Sequence, residues 1–180
     1  VLEGATRPTH FAGVCQVVLN LMHLTRPTWA LFGRKDAQQL AIVRAMVRDL
    51  SVPLSIEPVD IRRESDGLAM SSRNAYLTPT QRQQALALSQ ALKAGIAAAE
   101  NGGDGAAVRQ AALAHLANAD GVEVDYVALV GADSFVDLAD AGLGLDPQKY
   151  QPVAGEPALL ALAAKVGSTR LIDNTLITLR

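Results

Sequence analysis

The run Trp29-Ala30-Leu31-Phe32, closed by Gly33 and followed by a helical pattern and then by Leu54-Ser55-Ile56-Glu57-Pro58-Val59, limits the folds open to this chain more than any other feature. A short continuous apolar run reads as a strand buried on both faces. Asp36 stands at an N-cap position, and Leu40, Ile42, Val43, Met46, Val47 and Leu50 follow at helical spacing. Ser51-Val52-Pro53 then turns the chain. Strand, helix and strand within roughly thirty residues make a βαβ unit, whose strands lie parallel with a right-handed crossover. Upstream, Val14, Val17, Val18, Leu21, Met22 and Leu24 mark a helix from Gly13 to Leu24, ended by Arg26-Pro27. Two parallel strands alone leave open edges and a half-covered core, so residues 1–61 read as an incomplete domain needing strands from elsewhere.

Beyond Ile61 the texture changes. Thr78-Pro79-Thr80-Gln81 carries a cap residue and Pro at the first helical position. Ala85, Leu88, Leu92 and Ile96 continue that helix to Asn101-Gly102-Gly103, and a second helix spans about Ala106–Ala117. Val122–Val130, Pro157–Val166 and Thr175–Leu179 have the β-branched, alternating character of strands. Helices followed by strands predict an α+β domain over residues 62–180 with a mainly antiparallel sheet. Asp140–Gly155, rich in Gly and Pro, reads as a mobile loop.

Composition narrows the partners. A formal net charge of -2 gives no broad attraction to phosphate backbones or anionic lipid, so nucleic acid is not expected. No apolar run reaches the roughly 18–20 residues of a membrane span, so no membrane partner is expected. The single cysteine, Cys15, lies in an apolar run and reads as a small packed hydrophobe, in keeping with a reducing cytoplasm.

Two segments offer groups suited to phosphate. In an open parallel sheet, ligands bind outside the carboxyl ends of the strands, where Gly33-Arg34-Lys35-Asp36 leaves the first strand. Gly33 permits close backbone approach, the helix start favours anions, and Lys35 supplies a movable ammonium. The same residues also fit a plain strand-closing glycine, a helix cap and a solvated basic pair. The second strand ends near Asp60, so the segment running from Ile61 to Arg73 is expected to leave the same rim of the sheet. There Ser71, Ser72 and Arg73 bring two hydroxyls and a guanidinium. Their alternative is a turn in which the serines bond only the backbone. His23 and His115, within helices, read as structural or surface residues, whereas His10 falls near the expected cleft.

Taken together, Leu2-Glu3-Gly4, Arg7-Pro8-Thr9-His10-Phe11-Ala12-Gly13-Val14, Phe32-Gly33-Arg34-Lys35-Asp36-Ala37-Gln38-Gln39 and Asp66-Gly67-Leu68-Ala69-Met70-Ser71-Ser72-Arg73-Asn74 occur in one order along most of the chain. The set resembles the pantothenate synthetases, ligases that join pantoate to β-alanine. Thr169-Arg170-Leu171-Ile172-Asp173-Asn174 is also similar to the family's C-terminal strand region. The chain departs from the pattern at Thr9, Arg34 and Ala37, where the family usually has Gly, Glu and an aromatic residue.

The resemblance implies an α/β fold: the second half of a Rossmann-like parallel-sheet domain over residues 1–61, then a smaller α+β domain over 62–180. It implies ATP and Mg2+, a pantoyl-adenylate intermediate, and release of AMP and pyrophosphate as pantothenate forms. By the same resemblance Gly33, Arg34, Lys35, Asp36, Arg62, Met70, Ser71, Ser72 and Arg73 bind ATP, and Gln39 binds pantoate. Lys35, Ser71, Ser72 and Arg73 are the catalytic candidates, and no protein ligand set for a metal is expected. The complete enzyme is expected to be a cytoplasmic homodimer, with the family's H-x-G-H histidines upstream of Val1 and the isolated fragment inactive. Two other classes remain open at this point: an adenylate-forming or nucleotidyl-transferring relative acting on another acid, and a non-catalytic interaction module.

Overall fold

The computed structural model describes residues 2–6, 9–139 and 157–179. The chain divides into two compact units, Val1–Ile61 and Arg62–Arg180. The segment Asp140–Gly155, read above as a mobile loop, lies outside the described residues, as do Arg7 and Pro8.

The first unit contains α1 (Leu2–Thr6), α2 (His10–Thr25), β1 (Trp29–Gly33), a 3-10 turn (Arg34–Asp36), α3 (Ala37–Asp49) and β2 (Ser55–Val59). β1 and β2 pair in parallel from Trp29↔Ser55 to Gly33↔Val59, completing the expected βαβ unit. α2 starts three residues before Gly13. It ends where Arg26, at φ 47°, donates its N–H to the Met22 carbonyl. Met22, Val43 and Val47 are buried together, with Val14, Val18, Ala30, Phe32 and Ile56 packed against them.

One expectation fails here. β1 is not buried on both faces: Trp29 is 64% and Leu31 70% exposed. In this unit α2 and α3 cover only the face carrying Ala30, Phe32 and Ile56, so the residues between them point away from the core.

The second unit holds a 3-10 turn (Ser72–Tyr76), α4 (Pro79–Glu100), α5 (Gly105–Ala117), β3 (Val122–Gly131), β4 (Ala158–Val166) and β5 (Thr169–Ile177). α4 opens with a complete capping box. The Thr78 hydroxyl accepts from the Gln81 N–H, and the Gln81 side chain accepts from the Thr78 N–H. The three strands form an antiparallel sheet in the order β3-β4-β5. Leu88, Leu92, Val108 and Leu116 from the helices meet Leu129, Leu160, Leu162 and Leu171 from the sheet in one buried core. Each such residue contributes about 1.5–3 kcal/mol through burial. Gly95 lets α4 approach β4 closely, since a Cβ there would run into Leu160 Cδ2.

The last strand departs from expectation. β5 begins at Thr169, six residues before the segment read as a strand, and ends at Ile177. Its early part carries Arg170, Asp173 and Asn174, which interrupt an apolar alternation. Asp173 and Asn174 are nevertheless buried. Asp173 tolerates burial because Arg63 binds it with two hydrogen bonds, 2.6 and 3.0 Å long.

Candidate functional site

Residue pairing places the first candidate loop. Because Gly33 lies opposite Val59, the chain leaves both strands at one end of the two-stranded sheet, bringing Arg34 and Asp60 side by side. Arg34 Nε stands 3.0 Å from Asp60 Oδ1, with Arg34 one-third exposed and Asp60 94% exposed. An ion pair this open to water contributes about 0–1 kcal/mol. Gly33 has extended backbone, and a Cβ there would meet nothing within 4 Å. The glycine leaves open space over the strand end.

Arg34, Lys35 and Asp36 form a single 3-10 turn leading into α3. Asp36 occupies the N-cap position, as expected, but its side chain makes no capping hydrogen bond. The α3 start therefore has no Asp36 carboxylate on its N–H groups, and it retains the partial positive charge of a helix N-terminus. Lys35 and Gln39 are half-buried beside this start. Gln38 accepts from the Gly4 N–H at 3.3 Å, fastening α1 to α3. His10 packs against the Phe11 ring. His23 is exposed and bonds the Leu19 carbonyl within its own helix, while His115 contacts Gln90, so both serve the surface.

The second unit presents the other donors on a small hairpin. Arg63 and Ala69 pair as an antiparallel bridge, the Met70 N–H donates to the Arg62 carbonyl, and the Glu64 N–H donates to the Leu68 carbonyl. Gly67 supplies the turn at φ 94°, a conformation that favours glycine. Asp66 accepts from the Leu68 N–H across this turn. The carbonyl of Arg62, one of the residues expected to bind ATP, thus already accepts a hydrogen bond.

Ser71 then caps the next 3-10 turn: its Oγ accepts from the Arg73 N–H at 3.2 Å. This leaves the Ser71 O–H proton free to be donated elsewhere. Met70, Ser72 and Arg73 are exposed, and Arg73 Nη1 donates to the Arg170 carbonyl on β5 at 3.1 Å. A guanidinium has five N–H donors, so one bond to β5 leaves the others for phosphate oxygens.

Gly33, Arg34, Lys35, Asp36 and Gln39 therefore gather at one sheet end in the first unit, and Arg62, Met70, Ser71, Ser72 and Arg73 gather on one hairpin and turn in the second. Sequence reasoning missed what supports that turn. Asn74 is 8% exposed, and its Nδ2 donates to Glu64 Oε1 and to the Ala69 carbonyl. Arg82 bridges Glu64 at 2.6 Å and Asp66 at 2.8 Å. One signal was available: Arg82 stands in the first turn of α4, where the helix dipole disfavours a cation unless carboxylates face it. Arg82, followed by Asn74, holds the Glu64 carboxyl below its ordinary range. The Leu68 N–H, with Arg82, does the same for Asp66. Both are ionised at neutral pH.

The sequence matches the family described as pantoate-beta-alanine ligase over residues 1–176. It is 51% identical to pantothenate synthetase 4 of Frankia alni over 99% of this chain and 54% of that protein. It is 50% identical to pantothenate synthetase of Salinispora arenicola over 99% of this chain and 58% of the relative. The chain thus spans a little over half the length of these curated relatives. Among solved structures, pantothenate synthetase from Thermus thermophilus superposes with a TM-score of 0.84 at 41% identity, covering 97% of this chain and 59% of that one. Pantoate-beta-alanine ligase from Francisella tularensis, a structure described as complexed with beta-gamma ATP and beta-alanine, gives a TM-score of 0.64 at 26% identity over 98% and 54% of the two chains.

Proposed function

The chain belongs to the pantoate–β-alanine ligase family, and from that premise we propose that its protein makes pantothenate from pantoate, β-alanine and ATP. The observation carrying this reading is the turn Ser71-Ser72-Arg73, in which an exposed guanidinium and two hydroxyls stand on a hydrogen-bonded hairpin. In the first step a pantoate carboxylate oxygen attacks the α-phosphorus of ATP, and the bond to the β-phosphate oxygen breaks, releasing pyrophosphate. In the second the β-alanine amine attacks the acyl carbon of pantoyl adenylate, loses a proton, and expels AMP.

Adenylyl transfer depends mainly on positioning and on neutralising charge. Lys35 stabilises negative charge on the leaving pyrophosphate, and Ser71, Ser72 and Arg73 donate to phosphate oxygens. Gly33, Arg34 and Asp36 border the ribose and phosphates, Arg62 and Met70 contact the adenosine, and Gln39 hydrogen-bonds pantoate. Arg34 is held by Asp60 at little energetic cost, so a triphosphate can compete for it. Among the described residues no group of three or more His, Cys, Asp or Glu could hold a metal ion. Mg2+ fits this site as an ion carried on the nucleotide's phosphates, where it neutralises their charge. The reading extends to a homodimer in the cytoplasm. No described helix is long and apolar enough to cross a membrane.

The test is pantoate-dependent exchange of labelled pyrophosphate into ATP by the full-length gene product. Exchange is the expected result. A folded protein that exchanges with no pantoate dependence, or not at all, would overturn the assignment.

A further inference from the structure

One polar assembly in the second unit has no role in the reactions above. Glu64 lies on the hairpin, Asn74 on the 3-10 turn and Arg82 on the first turn of α4. Glu64 joins the three: Oε1 accepts from Asn74 Nδ2 at 2.7 Å, and Oε2 accepts from Arg82 Nη2 at 2.6 Å. We propose that Glu64 is a positioning residue for adenylyl transfer, holding the Ser71–Arg73 turn through Asn74 while it is itself anchored to α4 through Arg82. The inference rests on the ATP-binding role assigned to that turn.

The bonding pattern supports orientation as the task. Asn74 brackets the turn from both sides, because its N–H donates to the Ser71 carbonyl and its amide to the Ala69 carbonyl and Glu64. Both Nδ2 protons meet oxygens that cannot donate, so the amide orientation is determined by its surroundings. At the other end, Arg82 cannot drift, since the Thr78–Gln81 capping box fixes the helix start and Asp66 takes a second bond from the guanidinium. General attachment of the hairpin to the sheet is already provided by Arg63, which bonds Asp173 twice and the Gly67 carbonyl once. What remains for Glu64 is the placement of the turn.

The charged groups facing Glu64 are Arg82 and Asp66. Arg82 outweighs Asp66 and, with Asn74, holds the carboxyl below the ordinary range. The grip is therefore complete at neutral pH and is lost only as pH falls below that range.

Glu64→Gln separates orientation from packing. A glutamine fills the same volume, but only one of its terminal atoms accepts, so either Asn74 or Arg82 faces an NH2 group. In the full-length protein we expect kcat/KM for MgATP in pyrophosphate exchange to fall about tenfold, the effect of one lost hydrogen bond to a charged group. The KM for pantoate should stay near its wild-type value. Unchanged MgATP kinetics would overturn the proposal, as would a parallel rise in the KM for pantoate, which would mark a general structural role. Should Glu64→Gln not fold, Arg82→Lys keeps the cation but gives up the two-carboxylate bridge; the same ATP-selective loss supports the proposal and unaltered exchange overturns it. A wild-type protein that shows no exchange would instead refute the ligase reading, and this inference with it.

Discussion

Lys35 and Arg63 are both cations, the first proposed to act in the reaction and the second paired with a buried carboxylate. Lys35 sits half-buried at the start of α3, where its proposed partner is charge that appears only as pyrophosphate leaves. Lys35→Ala should lower turnover about a hundredfold while changing the KM for pantoate little. Steady-state kinetics of the full-length protein would show this, and an unchanged kcat would remove Lys35 from the reaction. Arg63 faces Asp173, which is only 2% exposed, so Arg63→Ala strands a carboxylate inside the sheet. Stability should drop by about 3 kcal/mol, at the lower end for a broken buried pair because Arg63 itself is one-third exposed. Urea unfolding would measure it. Lys35, Ser71, Ser72 and Arg73 are candidates that residue type alone suggests, because donors and fixed charges are local properties. Glu64 and Asp173 could not, since each depends on a partner in another element and their own neighbours in sequence carry no sign of it; Arg82 offered only its unfavourable place at a helix start.

At the level of elements, periodicity and caps revealed most of the architecture. β1, α3 and β2 were visible because the apolar period switches from a continuous run to 3.6 and back, and α4 because Thr78 and Pro79 mark its start. The first part of β5 escaped because Asp173 breaks the pattern and is paired with Arg63, far away along the chain. The uncovered face of β1 was hidden for the reverse reason: Trp29 and Leu31 look like core residues whichever way they point. Two helical glycines make a paired test. Gly13→Ala in α2 meets nothing within 4 Å and should raise stability by about 0.5–1 kcal/mol by favouring the helix. Gly95→Ala in α4 drives a methyl into Leu160, which is fully buried, and should lower stability by about 1–3 kcal/mol. Thermal unfolding of both variants should show opposite shifts.

On the scale of the whole molecule, the two units differ in how much apolar surface they enclose. The second buries a continuous core of leucine, valine and alanine, whereas the first buries Met22, Val43 and Val47 and leaves Val17, Leu21, Leu24, Trp29 and Leu31 exposed. Amide exchange in the 180-residue chain should therefore be slowest in β4 and β5, and faster by at least about tenfold in β1 and β2. Equal protection throughout would mean that the two units unfold as one. The connections in the sheet of the second unit also predict an order of assembly. β4 and β5 are joined by Gly167-Ser168 alone, with Gly167 in the left-handed region at φ 59°, whereas β3 reaches β4 only after Gly131 is brought opposite Ala158. A hairpin closes in about 1–10 μs, and strands far apart in sequence cost more chain entropy to bring together before any contact rewards it. The β4–β5 hairpin is thus the expected nucleus: in stopped-flow refolding a stiffer residue at Gly167 should slow folding, while a weakened β3 should chiefly quicken unfolding.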